Sequence, residues 1–111
     1  MKEKLPVAVI GAGPVGLAAA AHLIERGETP IVFESGSTVG ANMLDWQHVR
    51  MFSPWQYTVD QSTVRLLQKH GWQMPPNDEF PTGGAMVERY MRPFAELPEV
   101  HEHIHLNARV I

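Results

Sequence analysis

The chain has 111 residues, 44% hydrophobic and 19% charged, with a formal net charge of −3 when histidine is neutral. That length supports one folded domain at most, the mix is that of a globular rather than a disordered chain, and no basic field invites nucleic acid. The absence of cysteine excludes disulfides, thiolate nucleophiles and cysteine-bound metals within the chain, and makes a cytoplasmic home the default expectation.

The start, "MKEK" before "LPVAVI", has the basic head and apolar run of a secretion signal, but the run breaks at Gly11 and enters a patterned unit. It reads instead as a strand over residues 5–10, uncharged and β-branched, of the kind buried in a parallel sheet. No apolar stretch is long and uninterrupted enough to span a bilayer. A helix is expected over residues 14–26. Pro14 suits its first turn, Leu17, Ala20, Ala21 and Ile24 form its apolar stripe, Arg26 complements its dipole, and Gly27 can take the left-handed cap. "PIVFE", residues 30–34, is a second strand, so the opening is one βαβ unit.

Residues 35–60 carry turn formers and aromatics with little periodicity, and read as a long structured loop, which in compact domains is usually functional. "QSTVRLLQKHG" is a short helix with Ser62 or Asp60 as cap and Gly71 as stop. After a loop, Met86, Val87, Tyr90, Met91, Phe94 and Leu97 recur at helical spacing over residues 82–97, with a kink or early end expected at Pro93. The tail "HIHLNARVI" alternates. Ile104, Leu106, Ala108 and Val110 fall on one face and His103, His105, Asn107 and Arg109 on the other, which predicts a third strand.

The turn of the βαβ unit is Gly11-Ala12-Gly13-Pro14-Val15-Gly16. A dinucleotide pyrophosphate is an anion that must lie against unpaired backbone N–H groups, and a helix N-terminus offers them with the positive end of its dipole. Gly11 lets the chain turn tightly, Gly13 lets phosphate approach the backbone, and Gly16 lets the helix pack closely on the strand. Glu34, at the end of the second strand, can accept hydrogen bonds from both hydroxyls of the adenosine ribose and would repel a 2′-phosphate, so the first nucleotide bound should not be NADP. NAD and FAD both bind in this way, and the turn alone does not choose between them. The competing reading is a tight strand-to-helix turn that binds nothing.

"GAGPVGLAAAAHL" with Glu34 resembles the FAD-binding start of two-dinucleotide-domain flavoproteins, which include flavin-containing monooxygenases and relatives of the pyridine-nucleotide oxidoreductases. "VRMFSPWQYTVD" and "FPTGGAMVERYMRPFAELPEV" are similar to a bacterial branch of FAD/NAD(P)-binding oxidoreductases. The resemblance covers nearly the whole chain, specifically in the first 35 residues and more loosely beyond. It implies an α/β fold, a Rossmann-like βαβ parallel sheet with a helical insertion, in which residues 1–111 are the N-terminal part of a longer chain. The cofactor it implies is FAD, with NAD(P)H as co-substrate of the longer parent, and the flavin carries the chemistry. The cofactor-binding residues it implies are Gly11, Gly13, Pro14, Gly16, Glu34 and Ser35, with Trp46 packing on flavin or ribitol, Arg50 pairing with a phosphate oxygen, and Val110 lying near the adenine. The family's usual Gly-Gly-x-Trp stands here only in altered form, "GANMLDW". The loop could equally pack its own aromatics and expose Arg50. Two other functions stay open, an NAD-binding domain of a dehydrogenase and a non-catalytic nucleotide-binding remnant.

His101, His103 and His105 would share one face of a strand, where imidazoles could hold a metal, although a half-exposed polar face explains them as well. Asp45, Asp60, Asp78 and Glu79 form no convincing acid/base pair, and Ser35, Ser37 and Ser53 lack the setting of a hydrolase nucleophile, so no catalytic residue is assigned. A sheet of three strands would leave apolar faces uncovered, through which the chain could self-associate.

Overall fold

A computed structural model describes residues 5–111. The two β-branched runs pair as expected. β1 (Val7–Ile10) lies parallel to β2 (Pro30–Phe33), in register from Val7↔Pro30 to Ile10↔Phe33. β3 (Ile104–His105) joins the other side of β2, also parallel, so the order is β1-β2-β3. α1 (Pro14–Glu25) is the crossover helix. It buries Leu17, Ala20 and Ala21 against the sheet, and ends at Arg26 with Gly27 at a left-handed φ of 75°. Side chains alternate across a strand. Val9 and Val32 are buried in the core with α1, while Ala8, Ile10, Ile31, Phe33 and His105 fall on the opposite face.

That opposite face departs from the expectation of a buried first strand. The strand begins at Val7, and of its residues only Val9 is buried; Ile10 is 64% exposed and Leu5, just before it, 80%. β1 is an edge strand, and its outer face is left exposed among the described residues.

The long loop after β2 is more ordered than its lack of periodicity suggests. It holds α2 (Ala41–Leu44) and α3 (Trp55–Thr58), each too short to show a helical period. Trp55 is buried, and the Arg89 guanidinium lies 5.8 Å over its ring. α4 (Gln61–Gln68) is capped by Asp60, whose carboxylate accepts the Thr63 N–H at 2.9 Å. Ser62, the other candidate cap, lies inside the helix, fully buried, with its hydroxyl 3.1 Å from His22 Nδ1.

The second apolar run forms α5 (Gly83–Met86), a π-helical turn (Val87–Met91) and α6 (Arg92–Ala95) in direct succession. Helical backbone therefore runs through Pro93 instead of ending there. Proline has no N–H for the carbonyl four residues back. That carbonyl, of Arg89, accepts the Trp72 indole N–H at 2.9 Å, and the wider π turn lies just ahead of the proline. Val87, Met91 and Phe94 are fully buried beside Leu17 and Leu67 in one core. α7 (Pro98–His101) then leads into β3.

The third strand is much shorter than the alternation of the tail predicts. Asn107 takes a positive φ of 54°, and the chain leaves the sheet to run along the loop after β2, with Asn107 N–H donating to Gly36 O and Ala108 N–H to Glu34 O, both at 2.9 Å. The three histidines consequently part. His101 ends α7, His103 lies 3.5 Å from Glu102, and His105 stacks on Phe33 with ring centroids 5.7 Å apart. Among the described residues no three of the His, Asp and Glu side chains gather where a metal ion could sit, and no helix is long and apolar enough to cross a membrane.

Candidate functional site

Gly11 takes φ 95°, a conformation that only glycine adopts without strain, and this bends the chain from β1 into α1. Its N–H donates to Phe33 O at 2.7 Å, tying the turn to the end of β2. Gly13 is the N-cap of α1 in ordinary extended geometry, and no side chain caps the helix. A Cβ added to Gly13 would meet nothing within 4 Å, so the space over the helix N-terminus is open. A Cβ on Gly16 would lie 1.9 Å from the carbonyl oxygen of Gly11. The tight turn at Gly11 and the close helix packing at Gly16 are therefore present, and the backbone at Gly13 is open. A groove of about 430 Å³ runs over the turn, with Ile10, Gly13, Pro14 and Val15 among its walls.

Glu34 follows β2 and is half-buried, facing the turn. Its Oε1 accepts the Ala12 N–H and its Oε2 the Gly36 N–H, each at 2.7 Å. The carboxylate is thus fixed beside the Gly-rich turn, although both oxygens already hold a protein donor. Each carboxylate oxygen accepts about two hydrogen bonds, so one site on each remains for a ligand hydroxyl. Ser35 is exposed and lines neither cleft of the site. Val110 is 54% exposed, two residues beyond the Ala108 N–H that bonds Glu34 O, which leaves it near Glu34 but outside the sheet.

On the other side of Pro14 lies a larger cleft of about 550 Å³, lined by Trp46, Val49, Arg50, Phe52, Tyr57 and Met86, among others. Pro14 belongs to both clefts, so the groove over the turn and the aromatic cleft adjoin across α1's first residue. Trp46 is 37% exposed, and its ring also packs where a Cβ on Gly83 would sit, 2.8 Å away. Arg50 spends one guanidinium nitrogen on Phe80 O at 3.0 Å, and its backbone bridges to Thr82. The loop thus buries Trp55 and seats Trp46 against Gly83, while Phe52 and Tyr57 stay largely exposed on the cleft wall. Val49 and Tyr57 escaped the reading of the sequence, since a loop has no period to say which side a residue faces. Met86 was read as core; it is buried and also forms the cleft floor.

The groups with displaced pKa values stiffen the other end of α1. Burial works against the Asp60 carboxylate, but the Thr63 N–H, His22 and the Thr63 hydroxyl together hold its pKa below the ordinary value. Burial pushes the Tyr90 phenol up, and its oxygen accepts the Asp60 N–H at 2.9 Å. The Arg65 guanidinium, bidentate on Glu25 at 2.9 and 2.8 Å, holds that carboxyl down to about 2. α4 is thereby clamped to α1, and the helix whose N-terminus faces the groove is held by its far end.

Residues 9–72, more than half of the chain, match the family described as NAD(P)-binding Rossmann-like domain. The chain belongs to that family. No curated protein sequence matches it. Among solved structures, OTEMO with FAD bound is similar over 99% of this chain and 20% of its own, at a TM-score of 0.67 and 24% identity. An oxidised steroid monooxygenase bound to NADP is similar over 93% of this chain and 20% of its own, at 0.68 and 21%. S-allyl-L-cysteine S-oxygenase from Allium sativum is similar over 92% and 27%, at 0.60 and 20%. Likeness at these identities establishes the fold, and the chain spans about a fifth of the length of the first two.

Proposed function

We propose that the chain is the FAD-binding portion of an NAD(P)H-dependent flavin oxidoreductase of the monooxygenase kind. The observation that carries this reading is the meeting of two clefts at Pro14, a groove over an uncapped helix N-terminus and a wider aromatic cleft beside it. A dinucleotide needs the first for its pyrophosphate, and a large flat ring system such as a flavin suits the second. Gly11, Gly13, Pro14 and Gly16 would form the phosphate turn. Glu34, flanked by Ser35, would take the ribose hydroxyls, and Val110 would lie toward the adenine. Trp46 and Arg50 would bound the flavin half. The bound flavin supplies hydride and oxygen chemistry, while this chain's residues bind, orient and shield it. The structural neighbours include OTEMO with FAD and NADP bound and a steroid monooxygenase bound to NADP, which supports the same cofactor pair.

The reading extends to a cytoplasmic setting, in keeping with the absence of cysteine. It extends also to self-association of the isolated chain through the open sheet face, where Ile10 is 64% exposed. Calorimetric titration of the chain with FAD, NAD and ADP tests the cofactor. FAD is expected to bind more tightly than NAD, and Trp46→Ala to weaken FAD but not ADP. Tighter binding of NAD than FAD, or an unchanged FAD affinity in the variant, would favour the dehydrogenase reading and overturn this one.

A further inference from the structure

Glu34 is joined to its surroundings at four points. Its N–H donates to His105 O and its C=O accepts the Ala108 N–H, both at 2.9 Å, while its two carboxylate oxygens hold Ala12 N–H and Gly36 N–H at 2.7 Å. The peptide units around Ala12 are in turn held on a second side, because Ala12 O accepts the Gly40 N–H at 2.9 Å. Space is kept for the carboxylate. A Cβ on Gly36 would come within 3.0 Å of Glu34 Oε2 and 2.5 Å of the Ala41 Cβ. Ala12 lies between the first two glycines of the turn and is fully buried, so the groove cannot shift without moving it.

We infer that Glu34 is a positioning residue for the phosphate-binding turn, its carboxylate setting the path of Gly11 to Gly13 before any nucleotide arrives. Only an ionised carboxylate offers two acceptor oxygens and no donor. A glutamine of the same shape must turn its NH₂ toward one of the two backbone N–H groups, leaving a donor against a donor. The need for an acid at this position therefore arises within the protein, in addition to any ribose it binds. The inference rests on the nucleotide reading for its ligand and on the two hydrogen bonds for its mechanism.

Inorganic pyrophosphate separates this role from ribose binding, because it occupies the turn and has no hydroxyl for Glu34. In Glu34→Gln, pyrophosphate affinity is expected to fall at least tenfold per folded molecule, with ADP affinity falling too. In the wild-type chain the Ala12 and Gly36 amides should be protected from hydrogen exchange without ligand. That measurement needs no variant, so free exchange at both amides overturns the inference even where Glu34→Gln does not fold. Wild-type pyrophosphate affinity in a folded Glu34→Gln, with only ADP weakened, would leave Glu34 as a ribose contact alone and overturn the inference. So would wild-type affinity with only a lowered melting temperature, or free exchange at both amides. Failure of the wild-type chain to bind either probe while both amides are protected would overturn the nucleotide reading itself, and the positioning role with it.

Discussion

Gly16→Ala tests the packing of the βαβ unit by a single methyl group. The new Cβ would stand 1.9 Å from Gly11 O and 3.0 Å from Gly11 C, both backbone atoms of the turn that α1 follows, with Val9 Cγ1 at 3.5 Å. A flexible side chain could swing away, but here the helix must withdraw by roughly 1 Å or the turn must break its hydrogen bond to Phe33 O. Overpacking of this kind costs about 1–3 kcal/mol, and about 1 kcal/mol moves the melting temperature of a domain this size by roughly 4–8 °C. Gly13→Ala is the control three residues away. Its Cβ meets nothing within 4 Å and the backbone φ of −85° suits any residue, so its stability should stay within about 0.5 kcal/mol of wild type. Gly13→Val should likewise fold and yet lose nucleotide binding, since its side chain fills the open groove. Urea unfolding of the set, with FAD titration of the folded variants, measures both quantities. If Gly16→Ala unfolds at the wild-type urea concentration, the close approach of α1 to the turn is not what glycine serves there.

Trp72→Phe removes the donor to Arg89 O and is expected to cost about 0.5–1.5 kcal/mol. In a Pro93→Ala background a main-chain N–H becomes available to that carbonyl, so the same change should cost less; equal costs in both backgrounds in a urea double-mutant cycle would refute the pairing of indole and proline. Glu25 answers to pH. Its folded pKa of about 2 lies below its ordinary 4.5, so the pair with Arg65 contributes fully above 4.5 and its contribution is lost as pH falls through about 2. The melting-temperature difference between wild type and Glu25→Gln should be small, shrink with salt, and vanish near pH 2; a difference constant from pH 7 downward would contradict the assignment.

The Gly-rich turn was legible in the sequence because each of its demands is local. A positive φ at Gly11, a clear approach at Gly13 and a close contact at Gly16 depend on residues within a few positions and on a helix that the 3.6-residue period announces. The place of Glu34 was legible for the same reason, since it directly follows a strand of evident pattern. The long loop was not, because α2 and α3 are single turns held by what they pack against, such as the cation over Trp55. At Pro93 the sequence announced a kink or an early end, but not that the helix would pass the proline to Ala95, because the carbonyl it leaves vacant is satisfied from Trp72, a residue outside the helix that no local rule brings near. The tail alternates perfectly as a sequence, yet only Ile104 and His105 pair, because the backbone bends at Asn107 toward partners on Gly36 and Glu34. Local pattern determined the crossover unit and its Gly-rich turn. Tertiary contacts alone decided that both Glu34 oxygens are engaged within the chain, and that the aromatic loop folds into a cleft on the far side of Pro14, because hydrogen bonds and packing between distant segments leave no period in the sequence.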